Sequence, residues 1–184
     1  MIEKEKRSKG LLYDANNDLE IQNELLKCKD LCYKYNLLLP SKRDERSELL
    51  KELFNKTGEN IIIESPFNCD FGYNIEVGDN FYANHGLVIL DGAKVSIGNN
   101  CFIGPNCGFF TATHPIDYKQ RNLGLEKALP IKVGNNVWFG GNVTCLDGVT
   151  IGDNVVIGAG SVNTRDIPSN VLCYGSPCKV IKNI

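Results

Sequence analysis

The sequence predicts a mainly β chain: a parallel β-helix of six-residue repeats preceded by a short N-terminal helical segment. Three observations carry this. Apolar residues recur at helical spacing before residue 60 and every six residues after it, and glycine or asparagine follows them where tight turns need positive φ. With 184 residues, a single domain with a small appendage is expected. Residues 1–59 form the helical segment, and residues 60–184 form the β-helix, with an inserted loop at 110–129 and a C-terminal tail.

The helical segment contains two stripes. Ile21, Leu25, Cys28, Cys32 and Tyr35 recur at three and four, and Pro40 ends that helix or lies just beyond it. Ser41 with Asp44 resembles a capping box, and Leu49, Leu50, Leu53 and Phe54 make a second stripe that Gly58 can terminate. Two antiparallel helices packed on the main body are expected.

The repeats come in two blocks. Val133, Phe139, Cys145, Ile151 and Ile157 are six apart, as are Val137, Val143, Val149 and Val155, with Gly134, Gly140, Gly152 and Gly158 following the first series. Val77, Ala83, Ile89, Val95, Cys101 and Cys107 continue the pattern upstream. Three such units close one triangular coil, so about five coils of about 18 residues are expected. Their stacking would bury Cys101, Cys107 and Cys145. Asparagines in "IGNN", "VGNN" and "IGDN" suit the corners.

Between Phe110 and Leu129 the rhythm stops, and a loop of that length inside a compact domain is usually functional or disordered. One of only two histidines, His114, stands at its base in "FFTATHPID".

Composition excludes several classes. A formal charge of −2 gives no basic excess for a nucleic-acid backbone or an anionic membrane. The polar opening "MIEKEKRSKG" is unlike a secretory signal and no stretch is long and apolar enough to span a bilayer, so a cytoplasmic protein with eight free thiols is expected. Cys28 and Cys32 lack a matching second pair of zinc ligands, and no metal requirement is expected. "IGAGS" neither follows a long strand nor opens a helix, which rejects a dinucleotide fold.

Four stretches together carry a resemblance: "LYDAN" at 12–16 followed by two helices, "CDFGYNIEVGDNFYAN" at 69–84, "TATHPID" at 111–117, and "IGDNVVIGAGSVNTRDIPSNVLCYGSPCKVIK" at 151–182. Across nearly its whole length the chain resembles the hexapeptide-repeat acyltransferases, in particular their maltose and galactoside O-acetyltransferase branch. The resemblance implies a left-handed β-helix, a homotrimer with sites between subunits, and transfer of acetyl from acetyl-CoA to a sugar hydroxyl.

The resemblance also implies roles. His114 matches the family's catalytic histidine, and a sugar hydroxyl needs such a base to attack a thioester near neutral pH. Glu126 falls where the family often carries an acidic group. It either orients the imidazole as a triad carboxylate does or is a solvated loop side chain. Asp14, Asp70, Asn84 and Asp91 fall near positions that contact the acceptor or the transferred group, and Asp91 occupies an otherwise apolar frame of the repeat. Asn84, Trp138, Gly141, Ala159, Thr164, Arg165, Lys179 and Lys182 map onto the acetyl-CoA side. There a backbone N–H near Gly141 serves as an oxyanion donor and the three cations meet phosphates. Trp138 packs either beside the acetyl group or at the trimer interface. Two departures concern the acceptor: Leu25 stands where many relatives place an arginine, and Gly86 where several carry a second asparagine.

Alternatives are an acetyltransferase of antibiotics and other xenobiotics, and a non-catalytic trimeric scaffold. A zinc hydratase on the same scaffold needs three histidine ligands, and only His85 and His114 exist.

Overall fold

The computed structural model describes residues 1–184. The N-terminal segment contains helix α1 (Glu3–Ser8), strand β1 (Tyr13–Asp14), and helices α2 (Leu19–Leu37) and α3 (Arg43–Leu53). Asp18 caps α2 by accepting from the Ile21 N–H, and the stripe Ile21, Cys28, Cys32 and Tyr35 is buried. Two expectations need correcting. The N-cap of α3 is Lys42, with no side-chain capping bond, so Ser41 and Asp44 form no capping box; and α3 stops at Leu53 rather than near Gly58. Its end is set by the first β-helix strand, which begins three residues later. Short, polar α1 left no apolar stripe in the sequence.

The β-helix has five complete coils and part of a sixth. The first comprises β2 (Lys56–Thr57), β3 (Ile62–Ile63) and β4 (Phe67–Cys69); the second β5 (Ile75–Val77), β6 (Tyr82–Ala83) and β7 (Leu87–Leu90); and the third β8 (Val95–Ile97), β9 (Phe102–Ile103) and β10 (Gly108–Phe110). The insertion holds β11 (Ala112–Thr113), helix α4 (Tyr118–Asn122) and β12 (Leu125–Ala128). The fourth coil is β13 (Ile131–Val133), β14 (Val137–Phe139) and β15 (Thr144–Cys145), and the fifth β16 (Thr150–Ile151), β17 (Val155–Ile157) and β18 (Val162–Asn163). A sixth β19 (Val171–Tyr174) and an antiparallel β20 (Lys179–Asn183) finish the chain.

Strands of successive coils pair in parallel to make three faces. The first face runs β2-β5-β8-β13-β16, the second β3-β6-β9-β14-β17-β19, and the third β4-β7-β10-β15-β18. Most three-residue strands point two side chains inward and one out, which is why two six-residue frames are apolar. Columns such as Ile63, Ala83, Ile103, Phe139, Ile157 and Cys173 stack in register and are buried. Cys101, Cys107 and Cys145 lie in this core as expected.

Corner residues divide their work. Asn80, Asn100, Asn136 and Asn154 take the positive φ, near +55°; side-chain amide bonds link the first three from coil to coil, as in Asn80 Nδ2 to Asn100 Oδ1 at 2.9 Å, and Asn154 donates to Asn170. Gly104 and Gly140 serve close approach instead. A Cβ on Gly140 would lie 2.5 Å from the Ala159 backbone nitrogen.

The insertion is structured. β11 pairs with β12, and β12 pairs with β1, so the "LYDAN" stretch is tied to the loop by a three-stranded sheet. No helix is long and apolar enough to cross a membrane.

Candidate active site

The corner after the third face carries most of the candidate acceptor residues. Because Cys69, Ile89 and Phe109 are in register, Asp70, Leu90 and Phe110 follow one another up this edge, as do Phe71, Asp91 and Thr111. The insertion springs from the same edge, and β1 delivers Tyr13 and Asp14 to it from the N-terminal segment.

His114 is half-exposed, at 49 % of its side chain. Its Nδ1 lies 3.1 Å from the Leu125 carbonyl oxygen. A carbonyl only accepts, so Nδ1 carries the hydrogen, and in the neutral imidazole the lone pair lies on Nε2. Glu126 Oε1 stands 3.7 Å from that Nε2, and Glu126 Oε2 accepts from the Tyr13 hydroxyl at 2.9 Å. The carboxylate therefore sits on the nitrogen opposite the one a triad carboxylate would hold, and the backbone carbonyl orients the ring. Tyr13 is buried. Burial first, and then the Glu126 charge, push its phenol well above the usual range, which keeps it a donor.

Asp70, Tyr13, Asn16, Lys29, Leu25 and Glu126 are among the residues lining a small cavity of about 120 Å³. Burial, followed by the Asp91 and Glu126 charges, raises Asp70 to about 6. Asp91 is fully enclosed; its Oδ1 accepts from the Asp70 and Phe71 N–H groups at 2.9 Å each, and its Oδ2 has no partner. Burial raises Asp91 to about 6 against those backbone bonds. Its visible work is to hold the turn that presents Asp70. The Asp14 carboxylate is engaged locally, accepting from Asn16 and Asn17 ahead of α2, which draws its pKa down.

Thr164 and Arg165 leave the third face at the same corner two coils above the insertion, exposed and about 10 Å along the axis at one strand spacing per coil. Asn84, Gly141 and Ala159 are placed elsewhere, on the corner between the second and third faces, where Asn84, Gly104 and Gly140 follow paired strands. Gly141 N–H makes no hydrogen bond within the chain. Trp138 projects outward from the second face, 56 % exposed. Lys179 and Lys182 are exposed on β20. No hydrogen bond or ion pair joins the two corners. Tyr13, Asn16 and Lys29 were not singled out from sequence. Tyr13 lay inside the quoted "LYDAN", but its partner is 113 residues away.

Known proteins share this fold. The maltose acetyltransferase hexapeptide capping motif matches residues 6–58, and the hexapeptide repeat of succinyl-transferase matches residues 94–114 and 130–165. The galactoside O-acetyltransferase of Escherichia coli is 46% identical over 86% of this chain and 78% of its own length. The crystal structure of a maltose O-acetyltransferase from Clostridium difficile superposes with a TM-score of 0.98 at 48% identity, covering 100% of this chain and 98% of that one. A galactoside acetyltransferase in complex with coenzyme A gives 0.96 at 42% identity, covering 100% and 92%. The chain belongs to the hexapeptide-repeat acyltransferases, in their maltose and galactoside O-acetyltransferase branch.

Proposed function

We propose that the chain moves the acetyl group of acetyl-CoA to a hydroxyl of a small sugar or glycoside, with His114 as general base. The observation that carries this is the imidazole itself: Nδ1 is fixed on the Leu125 carbonyl, and Nε2 faces Glu126 at a solvent-accessible corner. Relatives named for maltose and galactoside acetylation, and one holding coenzyme A, supply the substrate classes.

The step follows from the geometry. Nε2 accepts the hydroxyl proton as the sugar oxygen bonds to the thioester carbon, and the imidazolium so formed is stabilised by Glu126 across 3.7 Å. As the tetrahedral intermediate collapses, the C–S bond breaks and the CoA sulfur takes the proton from Nε2. Asp70 and Glu126 accept hydrogen bonds from acceptor hydroxyls, with Asp14 and Asp91 acting through the turns they hold. The unengaged Gly141 N–H is the donor for the developing oxyanion. Ala159, Thr164, Arg165, Lys179 and Lys182 take the CoA chain and its phosphates.

The same reading makes the working form a homotrimer. His114 and the Asn84–Gly141 group lie on different corners, so a second copy has to bring its Asn84 corner to the His114 corner of the first. The second face is suited to burial in such an assembly: Ile62, Tyr82, Phe102, Trp138, Val156 and Leu172 point outward in register, with Phe102 52 % and Trp138 56 % exposed. The corresponding row on the first face is Lys56, Glu76, Ser96, Lys132 and Thr150.

The test is CoA release with acetyl-CoA and a panel of glucose, maltose, galactosides, amino sugars, serine and chloramphenicol, each against a no-acceptor control. Release that depends on a sugar is expected. Release with chloramphenicol alone would replace the sugar by a xenobiotic, and failure to bind acetyl-CoA would leave a scaffold.

A further inference from the structure

Seven of the eight cysteines are buried. Cys101, Cys107, Cys145 and Cys173 are spread through the β-helix, but the other three are gathered. Cys28 and Cys32 lie one turn apart on the buried face of α2, and Cys69 ends β4, against which α2 packs. Their three sulfurs all lie within 4.8 Å of one another, with Cys28 to Cys69 at 3.5 Å and Cys32 to Cys69 at 3.7 Å.

Those spacings have a chemical meaning. Thiolates at about 2.3 Å from a tetrahedral ion stand about 3.8 Å apart; the 3.5 Å and 3.7 Å edges come close to that spacing and the third edge is within 4.8 Å, so the three sulfurs can close into one face of such a tetrahedron. The second pair of ligands missing from the sequence is replaced in part by a residue 37 positions beyond Cys32.

We propose that Cys28, Cys32 and Cys69 form a three-thiolate site for a thiophilic divalent ion of the zinc and cadmium class, clamping α2 to the first coil and separate from acetyl transfer. Binding releases three thiol protons to solvent, leaves the ion with three thiolates and one net negative charge, and gives its fourth position to water. Affinity therefore rises with pH.

The experiment adds cadmium to the reduced full-length protein. Expected are one equivalent bound, a thiolate-to-cadmium charge-transfer band, a raised Tm, and an X-ray absorption shell with three sulfurs. Cys32→Ser and Cys69→Ser should each weaken binding on the order of tenfold or more, whereas Cys178→Ser should not. Fewer than three sulfurs around cadmium in the wild type, or unaltered binding in both trio variants, would overturn the proposal. The absorption measurement needs no variant, so it stands even if a serine at Cys69 prevents folding. A chelator should leave the acetyl-transfer rate unchanged while lowering the Tm; loss of rate would contradict the separation from catalysis.

Discussion

The Tyr13 hydroxyl donates its hydrogen bond to one oxygen of Glu126 while the other faces His114, so a residue from the N-terminal segment sets the position of the charge beside the imidazole. Replacing His114 with alanine should lower kcat by about 10² to 10⁴, the usual worth of a general base, with acetyl-CoA affinity nearly kept. Full activity would remove the imidazole from the chemistry. Tyr13→Phe should lower kcat about tenfold, the worth of one hydrogen bond to a charged group, and leave the acetyl-CoA KM in place; an unchanged kcat would mean that the phenol only closes the core. Asp70 and Asp91 add a pH dependence. Both are raised to about 6 from 3.8, so the folded state holds more protons than the unfolded chain between those values, and they subtract stability progressively as pH rises through that window. Asp91→Asn keeps an oxygen for the Asp70 and Phe71 N–H groups and loses the buried charge. Denaturation midpoints measured from pH 4 to about 7 should therefore fall less steeply in the variant. At this scale His114 was legible because it stands where the repeat stops. Tyr13 was not, because nothing local marks a pairing with a residue so far along the chain.

Among the elements, the six-residue rhythm could be read directly because each strand and its corner are local. The insertion could not: its β11 and β12 are two and four residues long and exist through pairing with each other and with β1. Ser41 and Asp44 had the spacing of a capping box, but the chain enters α3 one residue later, at Lys42, which makes no side-chain cap bond. The corners give a sharper test. Asn100 has φ of 55° and links the amides of Asn80 and Asn136. Asn100→Ala should destabilise the fold by about 1–3 kcal/mol, from the left-handed backbone and the lost ladder, and Asn100→Gly by less. Equal losses in chemical denaturation would assign the whole effect to the ladder.

For the whole molecule, the proposed trimer accounts for both the outward row of Phe102 and Trp138 and the division of the candidate site residues between two corners. Trp138→Glu should shift the sedimenting species toward monomer and remove activity together with it. A monomer retaining full activity would place the complete site on one chain. The measurement that tests the account most directly mixes two variants, one in each half of the proposed shared site. His114→Ala and Asn84→Ala, co-refolded in equal amounts, should regain activity in about a quarter of sites, where the intact His114 of one subunit meets the intact Asn84 of the next. Recovery near that fraction is the predicted result; mixtures no more active than the separate variants would contradict a site shared between subunits.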